Sequence, residues 1–315
     1  MSRFVIRRVI GGVIVLFAIS VLTFLIFNVI PNGDPAERLA GHNASPTQIA
    51  AIRRQWGFDK SKPEQYVKMM QNVFNGNLVS YSNHIKVIDE IWHDLPRTLS
   101  LAIGAAIMWM AFAIALGLYS AMRAGRFSDR FLTVLALIGI SMPVFWVGAL
   151  MNYYLGFKAG IFPNGGYTDL TSNPVDWAYH LIMPWTALSL LFIGVYSRVV
   201  RSNVLDTMNE DFVRTARAKG ISERRVLVKH VLRNSLIPVV SLWGLDFAAV
   251  IGGGAILTET VFNLQGVGQY AANSIQALDV PPVMAITLFG AFFIVLLSVI
   301  VDIAYAWLDP RIRLT

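Results

Sequence analysis

Apolar residues in this chain come in long unbroken runs, neither striped at helical spacing nor alternating. Six stretches approach or exceed the roughly 18 consecutive apolar residues that span a hydrocarbon core about 30 Å thick. They run approximately from Val9 to Ile30, Leu99 to Met122, Phe131 to Phe157, Leu181 to Val200, Ile237 to Phe262 and Val283 to Leu308. Each is apolar around its whole circumference, as lipid requires and a one-sided soluble helix does not show. The pattern predicts an all-α integral membrane protein with six transmembrane helices. The polar remainder divides into a tail at 1–8, a domain at 31–98, a short connection, a loop at 158–180, a loop at 201–236 and a tail at 309–315.

Composition agrees with that division. Of 315 residues, 55% are apolar and only 14% charged, against about 25% charged in ordinary soluble domains. The chain has no cysteine, which excludes disulfide frameworks, thiolate metal sites and cysteine nucleophiles. A net charge of +7 first suggests nucleic acid, but the position of the basic residues removes that reading. If the N-terminus is cytoplasmic, the inside segments hold 17 Lys and Arg, and the short outside loops hold one, Lys158. Long loops are poor reporters of topology, so the 31–98 domain is left out of the comparison. The surplus is a positive-inside signature: no nucleic acid, a cytoplasmic-membrane location and both termini inside. The first apolar run, flanked by Arg3, Arg7 and Arg8, also fits a signal peptide. Its length and the absence of a small-residue cleavage site after Asn28-Val29-Ile30-Pro31 favour an uncleaved anchor.

No G-x-x-x-x-G-K-[ST] phosphate loop, G-x-S-x-G elbow or H-E-x-x-H pair is present, so the chain is not expected to hold ATP in that way, and no catalytic constellation marks it as an enzyme. No internal repeat is visible, which sets it apart from many secondary transporters. The triple glycine Gly252-Gly253-Gly254 lies inside an apolar run and reads as close helix packing or a kink.

The loop at 201–236 carries the most distinctive pattern. Phe212, Val213, Ala216 and Ala218 precede Gly220, the usual residue just past a helix end. Ser222 then offers an N-cap for a second helix carrying Val226, Leu227, Val231 and Leu232. A basic and apolar helix-turn-helix of this kind fits either a membrane-surface element, with Arg217, Lys219, Arg224 and Arg225 among lipid headgroups, or a docking element for a partner protein.

Three acidic residues fall in or beside the apolar runs. Asp246, at mid-depth, must face protein or water; it either lines a translocation path, able to meet a peptide's amino terminus, or pairs with a donor on a neighbouring helix. Asp302 lies near the cytoplasmic end of the last run, within reach of a loop arginine, and Glu259 near the outer end of the fifth. Trp109, Trp146, Trp177, Trp185, Tyr153 and Tyr154 fall where an interfacial aromatic belt is expected. Pro143 and Pro184 are expected to kink their helices.

The stretch from Thr215-Ala216 through Gly220 to Leu236-Ile237-Pro238 resembles the EAA loop of ABC-importer permeases, specifically the peptide/nickel family. Asn32-Gly33-Asp34-Pro35 is similar to that family's P-G-D-P signature. Thr258-Glu259-Thr260-Val261-Phe262, Gly266-Val267-Gly268 and Leu308-Asp309-Pro310-Arg311-Ile312-Arg313 are similar to its B-type subunits. Thr215 replaces the leading Glu, Asn32 replaces a Pro, and Gly76-Asn77-Leu78-Val79-Ser80 departs from the usual G-D-L-G-x-S.

The resemblance implies a type I permease fold with an extracytoplasmic domain between the first two helices. It also implies an ATPase-coupling segment made of Thr215, Ala216, Arg217, Ala218, Lys219 and Gly220, closed by Leu236 and Pro238, with Ala216 and Ala218 permitting close approach to an ATPase groove. Glu259 then belongs to an outer gate and, with Asp246, to the translocation path. The implied partners are a second homologous permease subunit, two ATPase subunits holding ATP-Mg, an external substrate-binding protein docking on 31–98, and membrane lipid; the chain itself needs no cofactor and no metal. The implied cargo is a di- or oligopeptide, with nickel chelates, glutathione and haem as alternatives in the same family. A passive channel or secondary transporter is the rival from another class, and an integral-membrane enzyme a weaker one.

Overall fold

The computed structural model describes the backbone of residues 2–29, 36–37 and 44–308, and the side chains of these residues except 2–5, 302 and 304–307, with residue 308 likewise limited to its backbone. The signatures at Asn32-Gly33-Asp34-Pro35 and Leu308-Asp309-Pro310-Arg311-Ile312-Arg313, and the side chain of Asp302, lie outside the described residues. Among the described residues the regular structure is helical, and the β pairing is one isolated bridge between Val79 and Lys86.

The first helix, α1 (Ser2–Phe24), ends in a π-helical turn at Leu25–Val29. Two short amphipathic helices follow. In α2 (Pro46–Trp56), Ser45 forms a reciprocal capping box with Gln48 and Pro46 sits in the first turn, where its missing N–H costs nothing; Gly57, at φ 75°, closes the other end. Next comes α3 (Lys62–Phe74), fastened to α1 where the Tyr66 ring meets Phe24 edge-on at 5.4 Å and its hydroxyl lies 2.7 Å from the Ser20 hydroxyl.

The centre of the molecule is α4 (Val87–Met122) against α7 (Pro174–Met208), the most extensively packed pair. Ala102, Ala105, Ala106 and Ala113 line one face of α4 at helical spacing and are fully buried, letting the α7 backbone approach closely. Both helices extend beyond their apolar runs, α4 beginning at Val87 and α7 at Pro174. Helix α7 passes through Pro184 without a break.

The expected third span is broken. Helix α5 (Phe127–Ser141) stops at Met142-Pro143, and α6 (Val144–Met151), prolonged by a π-helical stretch at Asn152–Lys158, leaves at an angle of 96°. Pro143 caps α6 and disfavours helical geometry at Met142, which is extended at ψ 125°. Among the described residues five helices are long and apolar enough to cross a membrane, or six if the bent pair is one span.

After α7 come α8 (Asp211–Ala218) and a helical run from Glu223 to Gly254 that contains α9 (Arg233–Ala249). The second helix of the loop is therefore continuous with the fifth span, and Pro238 lies inside α9. The run ends at Gly254, not Phe262, because Gly253 takes φ 137°, a conformation side chains rarely adopt. Two short helices, α10 (Ile256–Val261) and α11 (Val267–Gln276), precede α12 (Val280–Leu308). At the crossing with α12, a Cβ on Gly290 would overlap the Gly252 carbonyl oxygen, so the triple glycine serves both packing and a kink.

Large apolar side chains face outward along the long helices. Val13 is 60% exposed, Phe17 62% and Ile107 62%, as expected where lipid or another subunit is the solvent.

Candidate functional site

Helix α8 has a buried and an open side. Val213 and Ala216 are buried against the chain, whereas Phe212, Thr215, Arg217, Ala218, Lys219 and Gly220 are exposed. Ala216, expected on the face meeting a partner, is instead an anchor holding α8 to its own subunit. The helix ends in a Schellman motif: Ile221 N–H donates to the Ala216 carbonyl (3.3 Å) and Gly220 N–H to that of Arg217 (2.9 Å). Gly220, at φ 73°, has open space around it, so the position requires glycine for backbone geometry and not for packing. Ser222 occupies the N-cap position, but its side chain makes no capping hydrogen bond. Arg217, expected to be available to a partner, forks onto Glu223 across the turn, with Nη2–Oε1 2.6 Å and Nε–Oε2 3.1 Å. Leu236 is half-buried and Pro238 exposed, one helical run beyond α8.

A second polar cluster supports this end of the molecule. Asp129, in the first turn of α5, is 3% exposed and accepts from Arg201 Nε (2.7 Å) and Nη2 (2.8 Å), from the Ser120 hydroxyl, and from Gly125 N–H (2.8 Å). One carboxylate thus ties α4, α5 and the turn between them to α7. The sequence reading missed it; the signal was a lone acid opening an apolar run just after a basic turn.

At the opposite ends of these helices Glu259 is fully buried. Its carboxylate accepts from Thr98 Oγ1 (2.7 Å) and Gln269 N–H (2.9 Å), while Thr98 Oγ1 accepts from Val267 N–H (2.9 Å). A Cβ on Gly266 would lie 2.5 Å from Glu259 Oε2, so the chain at 266–268 wraps the carboxylate at backbone distance. Arg97 adds a bond from Nη1 to the Gln265 carbonyl (2.8 Å). These bonds latch the α10–α11 hairpin onto α4. Glu259 and Thr98 also border an apolar cavity of about 390 Å³ among α1, α10, α11 and α12.

Asp246 is held differently. It accepts a 2.5 Å hydrogen bond from the hydroxyl of Tyr196, a buried residue of α7. That is the donor on a neighbouring helix anticipated by one of the two readings, and Asp246 is not part of the cavity beside Glu259. The two acids expected on one path are not brought into a single polar site.

The aromatic belt holds only in part. Trp146, Tyr153 and Tyr154 are outward-facing, but Trp109 is fully buried and stacks on Phe192 at 4.3 Å. Trp177 and Trp185 donate to the Ser100 hydroxyl (3.2 Å) and carbonyl (2.9 Å). Glu90, His93 and Asp94 offer ligand atoms within 4.8 Å of one another, but Asp94 is already committed to Arg97 at 2.8 Å.

The chain is a member of the binding-protein-dependent transport system inner membrane component family: its model matches residues 113–314, and the N-terminal model of the same systems matches 1–102. Individual relatives align essentially end to end. They include a probable peptide ABC transporter permease of Sinorhizobium fredii (33% identical, 99% of this chain and 100% of the relative). A probable D,D-dipeptide transport system permease of Escherichia coli is 35% identical (97% and 96%), and a glutathione transport system permease of E. coli is 35% identical (99% and 99%).

Proposed function

We propose that this chain is one of two related membrane subunits of an ATP-driven importer of di- or oligopeptides in the bacterial cytoplasmic membrane. The observation that carries the reading is the exposed α8–Gly220 turn in a member of this transport family whose full-length relatives are named for peptide, dipeptide and glutathione transport. The basic residues of 201–236 support a cytoplasmic position for α8, with both termini on the same side.

On this reading two ATPase subunits bind ATP-Mg and close, and each seats a coupling element of the permease. Phe212, Thr215, Ala218 and Lys219 form the contact face. Val213 and Ala216 carry the push inward, and the rigid run from Glu223 to Gly254 delivers it across the membrane to the break at Gly253. The Asp129–Arg201 cluster keeps α4, α5 and α7 moving together. At the outer side the Glu259–Thr98 latch holds the hairpin in one of its positions, and 44–86 faces the substrate-binding protein.

The test is reconstitution of the complete complex in vesicles, with labelled dipeptide, longer peptide, glutathione, a nickel chelate and haem offered in turn. Uptake is expected for peptides, only with ATP and only with all subunits present. Uptake without ATP or without the ATPases would overturn the importer reading; preference for glutathione, chelate or haem would overturn the peptide assignment.

A further inference from the structure

A separate cavity of about 310 Å³ lies at the seam where α2 and α3, the turn before α4, and the facing ends of α1 and α12 meet. It shares no lining residue with the cavity beside Glu259. Its floor is closed by the buried side chains of Met69 and Met284, whose sulfurs both accept from the Asn28 side-chain amide (4.0 and 3.2 Å). One wall is aromatic: Tyr81 stands edge-on to Trp56 at 4.8 Å and to Phe58 at 5.9 Å.

The mouth is polar and unused. Gln55, Lys68 and Asn77 are exposed and Asn72 is half-buried, and none of these side chains has a hydrogen-bond or ion-pair partner among the described residues. The Lys68 ammonium lies beside Gly57, where a Cβ would come within 3.3 Å of Nζ. His84 also reaches the lining. Among the described residues no Asp or Glu borders the cavity. Asp279, behind Tyr81, is spent on the Ser80 hydroxyl and on the N–H groups of Tyr81 (2.9 Å) and Ser82 (3.2 Å).

A cavity of this size, with a thioether floor and a few convergent polar groups, has the make-up of a small-molecule site. The chemistry of its walls specifies the ligand. One unpaired ammonium with no competing carboxylate selects an anion. The aromatic wall and thioether floor select an apolar or aromatic side chain. The free amides of Gln55, Asn72 and Asn77 match a peptide bond, whose N–H and C=O each need a partner. We propose that this cavity binds an apolar residue bearing a free α-carboxylate, the carboxy-terminal end of a short peptide or a single amino acid, with the carboxylate on Lys68. Because its walls come from α2 and α3 on one side and from α1 and α12 on the other, occupation clamps the 44–86 segment to two spanning helices.

The test is titration calorimetry on the full-length chain in lipid nanodiscs, alone and within the complete complex, with Ala-Phe, its C-terminal amide and free Phe as probes. Ala-Phe is expected to bind, with the amide weaker by about tenfold or more. Lys68→Met should reduce Ala-Phe to the level of the amide, Lys68→Arg should retain it, and Trp56→Leu should weaken acid and amide alike. Tighter binding of Ala-Phe than of Phe assigns the site to a peptide terminus; equal binding assigns it to a single amino acid. No binding of either acid at millimolar concentration, equal binding of acid and amide, or insensitivity to Lys68→Met overturns the proposal. Because the readout is binding, a failure of peptide uptake leaves it standing, and its own failure leaves the transport reading intact.

Discussion

Gly220 is the position where one residue decides local structure and the proposed coupling together. Its φ of 73° closes α8 through two backbone bonds, and a β-branched residue in that conformation costs about 1–2 kcal/mol. Nothing crowds the site, so the penalty is conformational. Gly220→Val is therefore expected to cut ATP-driven uptake and ATPase co-purification severely while the chain still inserts, and Gly220→Asn, which tolerates left-handed backbone, to keep most of both. Equal loss in the two variants, measured as initial uptake rate in vesicles, would mean that any side chain there obstructs docking. This glycine was legible because an amphipathic stretch followed by glycine is a helix end. The Arg217–Glu223 fork was not, because its partners meet only through the turn that Gly220 makes. Trp109 shows the complementary failure: position along an apolar run gives depth in the membrane but not which side faces a neighbouring helix.

At the scale of elements, the long helices followed from apolar runs, while their interruptions needed the structure. Pro143 turns the expected third span by 96°, whereas Pro184 sits in an unbroken helix; the same residue type broke one helix and not the other. Helix α10 was read as the tail of the fifth span because it continues the apolar run, yet Gly253 ends that span and Glu259 folds the next turn onto Thr98. Thr98→Val removes the donor to Glu259 and the acceptor of Val267 N–H together, leaving buried groups unpaired, at a cost of about 1–3 kcal/mol. The expected results are a lower unfolding temperature in detergent and faster amide exchange confined to 263–270, with exchange in α8 unchanged. Unchanged protection at 263–270 would show that the hairpin is held by packing alone.

Over the whole molecule, orientation rests on charge. The chain has no cysteine, so single-cysteine variants report topology without background. Lys219→Cys is expected to react with a membrane-impermeant maleimide only when the cytoplasmic face is open, and Lys60→Cys in intact cells with a permeable outer envelope; the reverse pattern would invert the assignment. Membrane residence, the helical class and the turn at Gly220 were set by the sequence alone, because apolar run length and a helix-ending glycine are local properties that lipid and backbone sterics read directly. Which acids are buried and by whom they are met was decided only in the folded chain. Asp129 finds Arg201, Glu259 finds Thr98 and Asp246 finds Tyr196, partners 50 to 161 residues apart that helix packing brings together. Lys68, with no partner among the described residues, comes to border a cavity with an aromatic wall in the same way, from five chain segments that no spacing rule connects.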